Sequence, residues 1–275
     1  MPVSLLAARR LAERYNLMII CPEFTQAAFP ETAYNFGAVE KGSKQRTWAF
    51  TTIEYIFDEF LHAGLRKEGY SLFGHSAGAQ FAHRMALFAP RGCRALNIVA
   101  ANAGWYTNTF LTSGSYPYKW PYSLIGAPVK VKSDHLETVF GRKLLVLIGQ
   151  EDVGLKYLRV TKAASAQGAN RFERGLDFFL NARKLAHSLD IPFNWALQTV
   201  PLVGHSNKHM AFVTAARLFS EPLARVQVLT DDAEGQHEYD EESAEGEAEN
   251  VEDQLDTVAM LMSRMGEGAT GDGAE

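Results

Sequence analysis

Ser76 stands in GYSLFGHSAGAQF (69–81), where a short apolar run meets Gly-His-Ser-Ala-Gly and then small residues that open a helix. A hydroxyl is a poor nucleophile at neutral pH. It needs a base within hydrogen-bond reach, an anion that orients the base, and donors for the oxyanion that forms. A G-x-S-x-G turn between strand and helix supplies the first part of that geometry. Its glycines permit a tight, strained backbone that lifts the serine to the strand end, at the positive end of the helix dipole. The bare five-residue pattern arises by chance in roughly one chain of this length in ten, so the strand before it and the helix after it carry the inference.

The same chemistry requires an acid and a histidine, each just past a later strand, in the order Ser, Asp or Glu, His. KLLVLIGQED puts Asp152 beyond a strand end, and NWALQTVPLVGHSN puts His205 in the loop after the last strand. Glu151 and Asp190 are the rival acids. His209, one helical turn on, and His135 are the rival histidines; the glycine before His205 and its strand-exit position favour it.

The elements that must position these groups follow from periodicity. A helix is expected over 4–15 with Ser4 as N-cap, then a buried strand LMIIC (17–21) ending at Pro22. TWAFTTIEYIFDEFLHAGL is helical, YSLFG a strand, residues 77–89 a helix stopped by Pro90, and ALNIVAANA a strand. KLLVLIG, the amphipathic ANRFERGLDFFLNARKLAHSLD, the strand in NWALQTVPLVGH, a helix over 207–219 and a short run ARVQVL complete the pattern. Such alternation predicts an α/β fold, a mostly parallel sheet with helices on both faces. Residues 102–141 break it with a run rich in Tyr, Trp, Pro, Ser and Gly, either a substrate-covering lid or a packed surface loop.

The net charge of -5 over 275 residues hides a split. Up to residue 229 there are 26 Lys and Arg against 16 Asp and Glu, a balance of +10; from 230 onward there are 1 against 16, a balance of -15. We therefore expect one folded domain over 1–229 and an acidic, disordered tail over 230–275. Leu255, Val258, Met262 and Met265 lie at helical spacing within that tail. Scattered basic residues without a recognition motif argue against nucleic-acid binding. No run of apolar residues is long enough for a membrane span. Cys21 and Cys93 have no C-x-x-C partners and are expected to be reduced, packed thiols. MPVSLLAARRLAERYN lacks the apolar core and cleavage site of a signal peptide.

The segments CPEFTQAAFPETAYNFG, LFGHSAGAQFAHRMALFAP, VAANAGWYT, LIGQED and VPLVGHSNKHMA together resemble an α/β-hydrolase of the polyhydroxybutyrate-depolymerase-like esterase group, over about residues 4–220. Poly(aspartic acid) hydrolases stand near the same group. The resemblance implies cofactor-free ester hydrolysis on a small-molecule or polymeric substrate, with Ser76 as nucleophile, His205 as general base and Asp152 as orienting acid. It also implies the Ala77 N–H as one oxyanion donor and Trp105 and Tyr106 as the lining of the acyl pocket. Amide or anionic-polymer hydrolysis is the alternative, as is an impaired hydrolase fold that only binds. In that fold a strand ending in a His-Gly-type loop precedes the first helix and donates the second oxyanion N–H. This chain starts at the helix, so the expectation is an N-terminally incomplete fold lacking its first strands, whose missing leader says nothing of destination; a genuine start would make it cytoplasmic.

Overall fold

A computed structural model describes residues 5–220 apart from Lys41, Pro90, Arg91, Lys130 and Lys132. The acidic tail, the ARVQVL run and the Ser4 cap lie outside the described residues. Within them, four strands pair in the order β1-β2-β3-β4, all parallel: β1 (Tyr70–His75), β2 (Ala95–Ala101), β3 (Leu144–Gly149) and β4 (Ala196–Val200). The helices are α1 (Leu5–Tyr15), α2 (Glu31–Asn35), α3 (Ala49–His62), α4 (Ala77–Phe88), α5 (Ser133–Gly141), α6 (Lys162–Ser165), α7 (Arg171–Ser188) and α8 (Asn207–Phe219). This is the α/β sheet expected from the alternation of runs.

The central strand β3, LLVLIG, is buried along its whole length, as an apolar run covered on both faces should be. Alternate side chains serve opposite layers. Leu145 and Leu147 join Val99, Ala101, Val200 and Met210 of α8 in one core cluster, while Ile148 meets α7 at Gly175. Gly175 admits no side chain, because a Cβ would lie 2.5 Å from the Ile148 methyl. On the α8 side, Leu11 of α1 packs with Ala211 and Ala215, so the amphipathic first helix buries its apolar stripe against the last. On the α7 side an aromatic layer forms around Phe178, stacked on Tyr106 and close to Trp195 and His83.

One expected element is absent. Residues 17–21 pair with no strand, and Met18, Ile19 and Ile20 are exposed at 57%, 40% and 41%. The physical reason is the sheet edge: β1 pairs only with β2 among the described residues, so this β-type run has no ladder to join and no apolar face to cover it. Both cysteines are free, Cys93 half-buried as expected of a packed thiol and Cys21 exposed because it lies on that uncovered run.

The turn-rich insertion begins as packed structure rather than as open loop. Residues 102–109 are buried, with Thr107 Oγ1 accepting from Arg84 and the Thr107 N–H donating to His83 Nε2. Asn108 donates to Asp177 of α7, and Gln167 both accepts from the Tyr106 N–H and donates to its carbonyl. Helix α5 closes the insertion. Among the described residues no helix is long and apolar enough to cross a membrane.

Candidate active site

Parallel strands bring all their carboxyl ends to one edge of the sheet, where open α/β folds bind ligands. Each strand here delivers one polar residue to that edge: Ser76 after β1, Asn102 after β2, Asp152 after β3 and His205 after β4.

Ser76 has φ 58° and ψ -112°, a conformation costly for a residue with a Cβ, and its N–H is tied to the Ala101 carbonyl at 3.0 Å. The turn is possible because Gly74 has no side chain; a Cβ there would lie 2.1 Å from the Gly78 carbonyl oxygen. As N-cap of α4, a serine would ordinarily bond an N–H of the first turn, yet Ser76 makes no such bond. Its hydroxyl lies 3.0 Å from His205 Nε2 instead. His205 Nδ1 is 2.7 Å from Asp152 Oδ2. A carboxylate can only accept, so Nδ1 carries the proton and the Nε2 lone pair accepts from Ser76. Asp152 is 2% exposed while the His205 ring remains half-buried, so the carboxyl group is covered and the imidazole is open to solvent.

Asn102 holds the loops of Asp152 and His205 together. It is fully buried at φ 51°, its Oδ1 accepts the Gly149 N–H at 2.9 Å, and its Nδ2 donates to the Gly204 carbonyl at 3.2 Å. The Glu151 N–H bonds the Val203 carbonyl at 3.0 Å, and Gly149 lies so close to that carbonyl that a Cβ would come within 2.2 Å. Behind Asp152, Arg171 Nη1 stands 3.4 Å from the second carboxylate oxygen, Oδ1. On the other side of His205 lies the His75 ring, centroids 4.6 Å apart. Burial chiefly, then the neighbouring His205, pushes the His75 pKa down to about 4.

Ala77, expected to supply an oxyanion donor, is the first residue of α4 and is exposed beside the serine. The Tyr34 hydroxyl borders the same helix end, 3.6 Å from the point where a Cβ on Gly78 would sit. Burial raises the Tyr34 pKa, so the phenol keeps its proton. Trp105 and Tyr106, expected to line the acyl pocket, are 2% and 0% exposed. Trp105 packs against Tyr122 and under the guanidinium of Arg84, and Tyr106 stacks on Phe178, so both faces are taken up by protein. The rival residues lie elsewhere: His209 bonds Ser206 Oγ, His135 bonds the Leu87 carbonyl, Asp190 follows the end of α7, and Glu151 is exposed.

Sequence reasoning missed Asn102 and Arg171. The one local signal for Asn102 was its place at a strand's carboxyl end. For Arg171 it was a cation in the first turn of a helix, where the dipole disfavours it.

No protein-family model matches the chain, and no curated protein sequence does. Among solved structures, the chain is similar to poly(aspartic acid) hydrolase-1 from Sphingomonas sp. KT-1, with 34% identity over 72% of this chain and 75% of that one and a TM-score of 0.65. It is also similar to LpqC, a poly(3-hydroxybutyrate) depolymerase from Bordetella parapertussis, with 29% identity over 79% of this chain and 74% of that one and a TM-score of 0.70.

Proposed function

The chain belongs to the depolymerase-like group of α/β-hydrolases and is a hydrolase; from that premise we propose that it cleaves carboxylic esters through a serine acyl-enzyme. The observation that carries the proposal is the unbroken hydrogen-bonded chain Ser76–His205–Asp152 at 3.0 and 2.7 Å. Ser76 Oγ attacks the ester carbonyl carbon as His205 Nε2 takes the hydroxyl proton, and Asp152 stabilises the imidazolium that results. The Ala77 N–H faces the developing oxyanion at the helix end. Collapse of the tetrahedral intermediate expels the alcohol, which receives the proton from His205. Water, deprotonated by the same imidazole, then releases the acid and frees Ser76.

The loops that follow the acid and precede the base carry apolar side chains into solvent: Val153, Leu155, Tyr157 and Val160 on one, Leu202 on the other. Exposed apolar groups gathered on two loops of a candidate site favour an ester with an apolar acyl part. Hydrolysis of an amide in an anionic polymer is the second reading, supported by the likeness to the poly(aspartic acid) hydrolase and by the excess of Lys and Arg through residue 229.

The test is labelling of the purified chain with a fluorophosphonate, followed by assays on an aryl ester, an aryl amide and poly(aspartic acid). Labelling confined to Ser76, lost in Ser76→Ala, with turnover greatest on the ester is the expected result. Absence of labelling defeats the nucleophile assignment, and preference for poly(aspartic acid) selects the second reading.

A further inference from the structure

Arg171 is a buried cation in an unfavourable place. It opens α7, at the positive end of an eighteen-residue helix, and it is 2% exposed. Burying a guanidinium is costly, and the helix dipole adds to the cost rather than relieving it. The hydrogen bonds of its side chain lead to one segment, the loop that follows β3. Nη2 donates to the Lys156 carbonyl at 2.9 Å, Nη1 to the Gly154 carbonyl at 3.3 Å, and Nη1 stands 3.4 Å from Asp152 Oδ1. Nε has no hydrogen-bond partner. Asp152 therefore lies between two groups: His205 Nδ1 on Oδ2 and Arg171 on Oδ1.

We propose that Arg171 is a positioning residue for the hydrolytic site: it clamps residues 152–156 so that Asp152 faces His205. The clamp follows from the planar fork of a guanidinium, which can donate to two carbonyls and a carboxylate at once, as an ammonium cannot.

This inference rests on Ser76 being the nucleophile, so the test reads that serine directly. The rate of labelling by a fluorophosphonate is measured for the chain and for Arg171→Met, Arg171→Gln and Arg171→Lys, each also combined with Asp152→Asn and each checked for cooperative unfolding. Arg171→Met slows labelling about tenfold on its own and by much less when Asp152→Asn is also present, because its effect passes through that carboxylate. Arg171→Lys keeps the charge and still slows labelling several-fold, because the fork is lost. A residue that merely supported the fold would slow both backgrounds alike. Equal slowing by folded Arg171→Met in the two backgrounds, or none in either, overturns the proposal; should the methionine variant not fold, Arg171→Gln, which can still donate to a carbonyl, decides by the same criterion. Failure of the unaltered chain to label at Ser76 overturns the assignment of Ser76 as nucleophile, an outcome separate from any effect of Arg171.

Discussion

The His75 imidazole lies against that of His205, with ring centroids 4.6 Å apart and planes inclined by 39°, and its Nε2 is buried without a hydrogen-bond partner. A second buried histidine, His83, is fixed as neutral by its bonds: Nδ1 faces the Ala79 carbonyl at 2.9 Å and must donate, while Nε2 accepts from the Thr107 N–H at 3.0 Å.

Both histidines make the fold sensitive to acid. Burial lowers the His75 pKa from 6.5 to about 4 and holds that of His83 well below 6.5. Above pH 6.5 these imidazoles are neutral in both folded and unfolded chains and contribute no slope. As pH falls from 6.5 toward 4 the unfolded chain takes up protons that folded His75 refuses, so stability is lost across that window. The urea midpoint should fall steadily between those values, and His75→Phe should flatten the fall. An equal slope in the variant would show that His75 is not one of the groups responsible.

Gly149 sets the spacing between the acid strand and the base loop. A methyl group at that position would lie 2.2 Å from the Val203 carbonyl oxygen, which cannot yield without moving the backbone two residues before His205. Gly149→Ala should therefore displace His205 by a fraction of an ångström to an ångström and slow fluorophosphonate labelling by up to about 10²-fold, with circular dichroism near that of the unaltered chain. Labelling at the original rate would mean the loop shifts without carrying the imidazole.

Asn102 separates two contributions that usually travel together. Loss of its side chain leaves the buried Gly149 N–H without its acceptor, at about 1–3 kcal/mol. Its φ of 51° adds a backbone cost for any residue with a Cβ, which glycine avoids. Urea unfolding should rank the unaltered chain above Asn102→Gly, and Asn102→Gly above Asn102→Ala by about 1 kcal/mol. Alanine at or above glycine would place the whole effect in the hydrogen bonds.

What the sequence made legible divides by range. Elements whose signal is local came out within a few residues: the strand before Ser76, helix α4 after it, the fully apolar β3 and helix α8. The placement of Asp152 and His205 beside Ser76 was legible because parallel strands impose chain order and a common end on the residues that follow them. LMIIC failed as a strand for the opposite reason, since strand formation depends on a neighbour that no local pattern reports. Asn102 acts on Gly149 and Gly204, and Arg171 on Asp152, contacts between segments far apart in the chain that periodicity does not encode. Trp105 and Tyr106 were recognisable as aromatic, but their burial against Arg84, Tyr122 and Phe178 is a property of how the insertion folds back on α4 and α7.

Tyr157 and Leu202 are the most exposed of the apolar side chains on the two loops, at 89% and 83%, and both adopt left-handed backbone, φ 57° and 54°. Neither residue type favours that conformation, and neither side chain packs into the core, so folding stability does not explain them. Leu202→Asn and Tyr157→Asn should leave the unfolding midpoint unchanged or slightly higher, because asparagine tolerates left-handed backbone better and little burial is lost. If these side chains meet the acyl part of an ester, they act on chain-length preference instead. Each buried methylene is worth about 0.8 kcal/mol, so partial burial of a leucine or tyrosine by substrate amounts to about a tenfold preference for longer acyl groups over acetyl. The double variant should lose that preference through a raised KM on the longer aryl esters, with kcat on the acetyl ester retained, because Ser76, His205 and Asp152 are untouched. Chain-length dependence identical to that of the unaltered chain would remove both residues from the acyl site and leave their exposure to be explained by another partner.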